Sequence, residues 1–277
     1  MDAMTEMVFD APAAGSEEAD ILTARMFELG AEGVTENENG FSVFWPDEVY
    51  RLKQEEIMHL IAGYTFRTIV HAPRNWNSEW EKNYPPVIIG DQILVHAPFH
   101  NAFPDFPYRI LIHPGMAFGT GHHSTTALML RLMTEINMTG KTVIDMGCGS
   151  GVLAIMASLL GASEVTAIDN DRNSVENTRL NIGANHRSNI ICLEGDATLL
   201  KDKKAGIILA NITRNILLSD FDSYYQSLLT GGFLIISGFL KDDLGFFTRK
   251  SYEYGMTEKN VLYEKEWTAA VYHKPEK

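Results

Sequence analysis

Cysteine is scarce in this 277-residue chain, which has only Cys148 and Cys192. Neither sits in a CxxC pair, so a disulfide framework and a zinc ribbon are both excluded as organising principles. Long apolar runs are missing too. None reaches the roughly 18 residues a membrane helix needs. Met1 to Asp10 carries no basic start followed by an apolar stretch, so no signal peptide is expected. Positive charge is in deficit, with 23 Lys and Arg against 36 Asp and Glu, a formal net charge of −13. A surface of that sign repels phosphate backbones. Direct nucleic-acid binding and membrane association are therefore not expected, and a basic protein partner would suit the chain. The expectation is a cytoplasmic protein. Hydrophobic residues make up 45% and charged residues 21%, enough for a sizeable core, and the length suggests two domains.

The first 71 residues read as a small α+β unit. Met4 to Ala11 suits a strand. Ser16 suits an N-cap, with Ala19, Leu22, Met26 and Leu29 at helical spacing and Gly30 as the stop. Val34 to Thr35 and Phe41 to Trp45 suit two strands around a turn at Asn39-Gly40, followed by a helix from Asp47 to Ile61 and a strand from Thr65 to His71. That order is the ferredoxin-like one. Residues 72–108 hold six of the ten prolines and two of the four tryptophans and read as a linker with strand pairing at Val87 to His96.

From 109 to 277 the pattern alternates. Strand-like runs at Thr142 to Ile144, Glu164 to Ile168, Ile190 to Leu193, Gly206 to Leu209 and Gly232 to Ser237 are separated by helical patterns. Those helices are Thr125 to Ile136, Val152 to Leu160, Arg172 to Ala184 and Ser219 to Leu229. Alternation of this kind predicts an α/β, doubly wound, mostly parallel Rossmann-like sheet with helices on both faces.

The strongest local signal is VIDMGCGSG, Val143 to Gly151, an apolar strand running into a glycine turn ahead of a helix. Glycines there let a ligand approach the backbone at the carboxyl end of a strand. The spacing is GxGxG, and Val152 holds the place where a dinucleotide fingerprint has its last glycine. Asp145 beside the turn would repel a pyrophosphate and attract an α-ammonium. S-adenosylmethionine offers an ammonium and no phosphate, so Asp145, Gly147 and Gly149 are candidate contacts for it. Asp169 ends the next strand, where a carboxylate can accept from ribose hydroxyls. Asp196, in GDA after the third strand, is a candidate for an adenine amino group. Asn211 ends the fourth strand in LANI and is the candidate catalytic residue: its amide can accept a hydrogen bond from a substrate amine and aim the lone pair.

The segment Ala117 to Thr126, AFGTGHHSTT, is predicted to turn at Gly119 and Gly121 and to enter a helix capped by Ser124, with Thr125 or Thr126 as cofactor contacts. Five histidines lie from His96 to His123, but their spacing matches no familiar metal site, and no metal is expected. His123 or His122 could accept a proton, with His113 a weaker candidate. Cys148 reads as a small filler of the turn.

Taken together, these motifs closely resemble one family, the bacterial methyltransferases of the PrmA type that modify large-subunit ribosomal protein L-eleven. The family's hallmark looks like PGxAFGTGxHxTT, and this chain has PGMAFGTGHHSTT from Pro114 to Thr126. Its cofactor loop looks like IDxGCGSGxLAI, and here Ile144 to Ile155 reads IDMGCGSGVLAI. ANI is present as Ala210, Asn211 and Ile212, and Trp76, Trp80, Tyr84 and Pro86 match the family's linker. The resemblance spans essentially the whole chain. It implies that Thr126, Gly147, Asp169 and Asn211 contact S-adenosylmethionine and that Asn211 faces the amine. It implies methylation of lysine ε-amino groups and the N-terminal α-amino group of ribosomal protein L-eleven. It also implies an N-terminal domain, 1–71, that recognises this substrate and swings on the linker. Ser124 stands where the family has proline, His122 where it has threonine and His113 where aspartate is common. A monomer is expected, since no heptad or apolar stripe marks an interface. The alternatives are a class I methyltransferase acting on a different protein, an RNA or a small molecule, a nicotinamide-dependent oxidoreductase, and a catalytically silent binding module.

Overall fold

The computed structural model describes residues 3–10, 16–36, 40–71, 84–101, 103–114, 119 and 121–276. Asn39, the linker tryptophans Trp76 and Trp80, and residues 115–118 and 120 of the glycine-rich segment lie outside them. The chain divides into two compact units, Met1–Tyr84 and Pro85–Lys277.

The first unit runs β1 (Met4–Phe9), α1 (Glu17–Glu28), β2 (Gly33–Glu36), β3 (Phe41–Pro46), α2 (Asp47–Leu52), α3 (Gln54–Leu60) and β4 (Phe66–His71). Its sheet order is β2-β3-β1-β4 with every pair antiparallel, the ferredoxin-like arrangement that the strand and helix order predicts. Ser16 caps α1 as expected, its Oγ accepting from the Ala19 amide at 3.2 Å. The expected helix from 47 to 61 is two helices, broken at Lys53, whose φ and ψ of −102° and 8° leave the helical region. Met7, Phe9, Met26, Phe41, Val43, Trp45 and Ile57 form the core, with Phe9 stacked on Phe41 at 5.0 Å.

The second unit opens with β5 (Val87–Ile89), β6 (Ile93–His96) and β7 (Tyr108–Leu111), a separate three-stranded sheet. The expected pairing across 87–96 is present as an antiparallel hairpin. Ile89, Ile93, Val95, Ile110 and Ile112 join the main core of this unit, so residues 85–108 pack with the larger body.

The principal elements follow in order: α4 (Ser124–Thr134), β8 (Thr142–Met146), α5 (Val152–Leu159), β9 (Glu164–Asp169), α6 (Arg172–Ala184), β10 (Ile190–Glu194), β11 (Ala205–Asn211), α7 (Arg214–Ser227), β12 (Leu228–Leu240), α8 (Leu244–Glu253), β13 (Thr257–Glu264) and β14 (Trp267–His273). The seven-stranded sheet has the order β10-β9-β8-β11-β12-β14-β13. Its first five strands are parallel, and β14 runs antiparallel to both β12 and β13. Strand side chains alternate between faces, and here each face feeds its own core. Val143, Ile207, Leu209 and Ile235 pack with α4 and α5. Ile144, Ile208, Ala210, Leu234 and Ile236 pack with Leu217, Phe221 and Tyr224 of α7 and Phe247 of α8. Burial on both sides explains why these strands read as continuous apolar runs. The strand order reverses between β8 and β11, and at such a switch point the carboxyl ends open a crevice for ligand. Among the described residues no helix is long and apolar enough to cross a membrane.

Candidate active site

At the carboxyl end of β8 the chain turns through Gly147, Gly149 and Gly151, at φ of 69°, 55° and 80°, and enters α5. The turn is held from three directions. From β9, the Ile168 carbonyl accepts from the Gly147 and Cys148 amides at 2.8 and 3.1 Å, and Asp169 Oδ2 accepts from the Gly149 amide at 2.9 Å. From α6, Thr178 Oγ1 donates to the Gly149 carbonyl and Asn181 Nδ2 to the Ser150 carbonyl, each at 2.8 Å. From the glycine-rich segment, the Gly119 carbonyl accepts from Ser150 Oγ at 2.7 Å. Asp169 Oδ1 meanwhile accepts from the Asp171 amide at 3.0 Å. Each carboxylate oxygen spends one lone pair on backbone and keeps another for a ligand hydroxyl.

Asp145 lies beneath this turn and is 1% exposed. Its Oδ2 accepts from the Ala154 amide at 3.0 Å, satisfying one of the donors that the first turn of α5 leaves unpaired. Its Oδ1 is buried with no partner. Burial pushes the carboxyl up to about 7, against the lowering effect of the Ala154 amide, and the nearby Asp169 charge adds to the rise.

Asn211 ends β11 in register with Ser237 of β12. Its Nδ2 donates to Thr126 Oγ1 at 3.3 Å, and Thr126 is fully buried in the first turn of α4. With the amide nitrogen so used, Oδ1 remains as the acceptor. The following residue, Ile212, fixes the turn by its fit between two glycines. A Cβ on Gly147 would run into the Ile212 side chain, and one on Gly238 (φ 99°) into the Ile212 carbonyl. Only glycine at both places lets Ile212 sit between the glycine turn, against its side chain, and β12, against its carbonyl.

A family model described as Ribosomal protein L11 methyltransferase (PrmA) matches residues 47–275. The chain belongs to this family. The curated ribosomal protein L11 methyltransferase of Phocaeicola vulgatus is 40% identical over 259 residues, covering 90% of this chain and 92% of that one. The one from Bacteroides fragilis is 37% identical over 273 residues, covering 95% and 97%. Among solved structures, the ribosomal protein L11 methylase of Lactobacillus delbrueckii subsp. bulgaricus superposes with a TM-score of 0.65 at 26% identity, over 70% of this chain and all of that one. The fold is that of the class I methyltransferases, with a small N-terminal antiparallel sheet unit.

Within this family member the candidate residues fall into two joined groups and one outlier. Thr126 meets Asn211, and Asp169 meets Gly149, while Gly147 adjoins Ile212. Asp196 stands apart and exposed. It caps a short 3-10 turn, Ala197–Leu200, by accepting from the Thr198 hydroxyl at 2.6 Å and the Thr198 amide at 2.9 Å, and these bonds, the hydroxyl first, hold it below the usual carboxylate range. It lines an open groove with Asn215, Ser219 and Asp220.

The cap of α4 is His123, not Ser124. His123 Nδ1 accepts from the Thr125 amide at 3.3 Å and lies 2.8 Å from the Thr125 hydroxyl, while its ring meets Trp267 edge-on at 4.8 Å. Ser124 is the first helical residue, and its Oγ donates to Glu264 Oε1 at 3.2 Å. An imidazole nitrogen two residues from its amide can do the work of a hydroxyl cap, a pattern that the usual cap residues hide. His122 Nε2 lies 2.9 Å from the Pro85 carbonyl, which can only accept, so that nitrogen carries the proton. Sequence reasoning missed Thr178 and Asn181. The available signal was two polar side chains three residues apart on a buried helix face.

Proposed function

We propose that this chain transfers methyl groups from S-adenosylmethionine to amino groups of ribosomal protein L11, namely lysine ε-amines and the N-terminal α-amine. The observation that carries the reading is the Asn211 amide, which is held by Thr126 at the carboxyl edge of the sheet beside the glycine turn. The residues fit the cofactor. The glycine turn leaves no side chain between its backbone and a ligand. The buried, partnerless Oδ1 of Asp145 suits an α-ammonium, and the remaining lone pairs of Asp169 suit ribose hydroxyls. Gly147, Gly149 and Thr126 complete the contact set, and Asp196 with its groove suits the adenine amino group. The bound cofactor supplies a methyl on a sulfonium, already a good leaving group.

The protein's share of the chemistry is therefore orientation and exclusion of water. Asn211 Oδ1 accepts an N–H of the neutral substrate amine and so points its lone pair. The proton of the incoming ammonium is lost to water before transfer, and no histidine is required. The N-terminal unit recognises the protein substrate, and the larger unit, from Pro85 on, carries the chemistry. A cytoplasmic monomer with no nucleic-acid contact completes the proposal. Its support is the net charge of −13, which suits a basic protein.

Peptide mapping of L11 after incubation with the enzyme and S-adenosylmethionine tests the acceptor chemistry. Methyl groups on lysine and on the N-terminal amine are expected. Methylation confined to other side chains, or none, contradicts it. A class I methyltransferase with another acceptor is the second reading, since the glycine turn serves any such acceptor equally.

A further inference from the structure

Asn181 of α6 is fully buried and uses every polar atom of its amide. Its Nδ2 donates to the Ser150 carbonyl at 2.8 Å and to Asn177 Oδ1 at 3.2 Å. Its Oδ1 accepts from the His113 amide at 2.8 Å. Asn177, one turn earlier, donates to the His113 carbonyl at 3.3 Å. One asparagine side chain thus joins the cofactor turn to the residue that leads into PGMAFGTG. The far end of that stretch returns to the same place, because Ser150 Oγ donates to the Gly119 carbonyl. Both residues flanking 114–118 are therefore referred to a single peptide of the glycine turn, that of Ser150, itself fully buried.

We infer that Asn181 is a positioning residue for methyl transfer, holding the Ser150 peptide of the glycine turn against His113 so that cofactor affinity depends on its side chain. The inference rests on the cofactor reading above. Ordering both strands of chain with one buried side chain means that neither can move without breaking a buried hydrogen bond. Asn185, one turn further along α6, provides the control. Its amide grips Leu111 through both backbone groups, at 2.9 and 2.6 Å, donates to the Asn181 carbonyl at 2.8 Å and makes no hydrogen bond to the turn. Loss of Asn185, the half-buried residue that caps the end of α6, breaks bonds to β7 and to the helix and none to the turn.

The test measures S-adenosylhomocysteine binding by calorimetry for the wild-type chain and for Asn181→Ala, Ser150→Ala and Asn185→Ala. Asn181→Ala is expected to raise Kd about tenfold and Ser150→Ala to move it the same way, while Asn185→Ala stays within about twofold despite a comparable loss of melting temperature. Hydrogen exchange supplies a second readout. The ligand is expected to protect the glycine-turn peptide spanning residues 147–155 in the wild type and Asn185→Ala, and to protect it less in Asn181→Ala. An Asn181→Ala affinity equal to wild type, or an equal shift in Asn185→Ala, overturns the inference. If Asn181→Ala does not fold, an unchanged Ser150→Ala affinity overturns it. A wild-type chain that does not bind the ligand defeats the cofactor reading, and the inference falls with it.

Discussion

Thr126 and Asn211 are 85 residues apart in sequence, yet the asparagine amide donates to the threonine hydroxyl at 3.3 Å. The bond ties the first turn of α4 to the end of β11 and fixes which end of the amide faces outward. Asn211→Ala is expected to reduce kcat/KM for L11 by about a hundredfold or more while leaving melting almost unchanged, since the lost group is the one proposed to orient the amine. Thr126→Val should cost less, and the double variant should fall short of the sum of the two, as neighbours in one hydrogen bond do. Turnover of Asn211→Ala within a factor of about two of wild type would remove the residue from the chemistry.

Asp169 joins β9 to the glycine turn through Gly149 and to the start of α6 through Asp171. Asp169→Ala is expected to weaken S-adenosylhomocysteine binding by at least about tenfold, because the proposed ribose contacts and the turn geometry are lost together. Unchanged affinity in calorimetry would sink the ribose assignment.

Asp145 gives a pH dependence with a definite sign. Its carboxyl is raised by burial to about 7 in the folded chain, far above an unfolded aspartate. Between those values the folded protein holds a proton that the unfolded chain has released. The stability this group contributes is thus greatest at low pH, falls as pH rises toward 7 and is level above it. Ligand binding should run the other way and tighten as pH rises through about 7, because only the ionised carboxylate pairs with an α-ammonium. Asp145→Asn should flatten both curves. Melting and calorimetry at a series of pH values decide it, and a variant that retains the wild-type slopes would assign them to another group.

Gly147 has no room for a side chain, because a Cβ there meets Ile212, and its φ is 69°. Gly147→Ala is expected to destabilise the protein by about 1–3 kcal/mol and to weaken ligand binding. Ile212→Ala added to it should recover only part of the stability, since the strained backbone remains. Full recovery in chemical denaturation would assign the whole effect to the clash.

What the sequence made legible follows from how local each feature is. The helix Arg172–Ala184 is found with the ends its pattern predicts, and VIDMGCGSG carries both the strand and the turn. The hairpin of β13 and β14 was not anticipated. Thr257–Glu264 reads TEKNVLYE because it is an edge strand, and edge strands carry charge to discourage further pairing. Its partner, WTAAVYH, does carry strand formers in Trp267, Thr268, Val271 and Tyr272, so a signal was present there. Helix α7 starts at Arg214, five residues before the expected Ser219, after Thr213 makes no side-chain cap bond. The site divides in the same way. Asp145, Asp169 and Asn211 are conspicuous as polar residues that end apolar strands. That Asp145 braces α5 is a contact within one strand–turn–helix unit, while that Asn181 binds the turn is a long-range fact, set by how α6 packs beside it.

The activity to be measured is methylation of ribosomal protein L11. The most direct measurement incubates the protein with S-adenosylmethionine carrying a labelled methyl group and with total ribosomal proteins from cells lacking this gene. Label is expected on L11 alone, on amines, and is lost with Asn211→Ala. Bound cofactor with L11 unlabelled, or label spread over other ribosomal proteins, would contradict it.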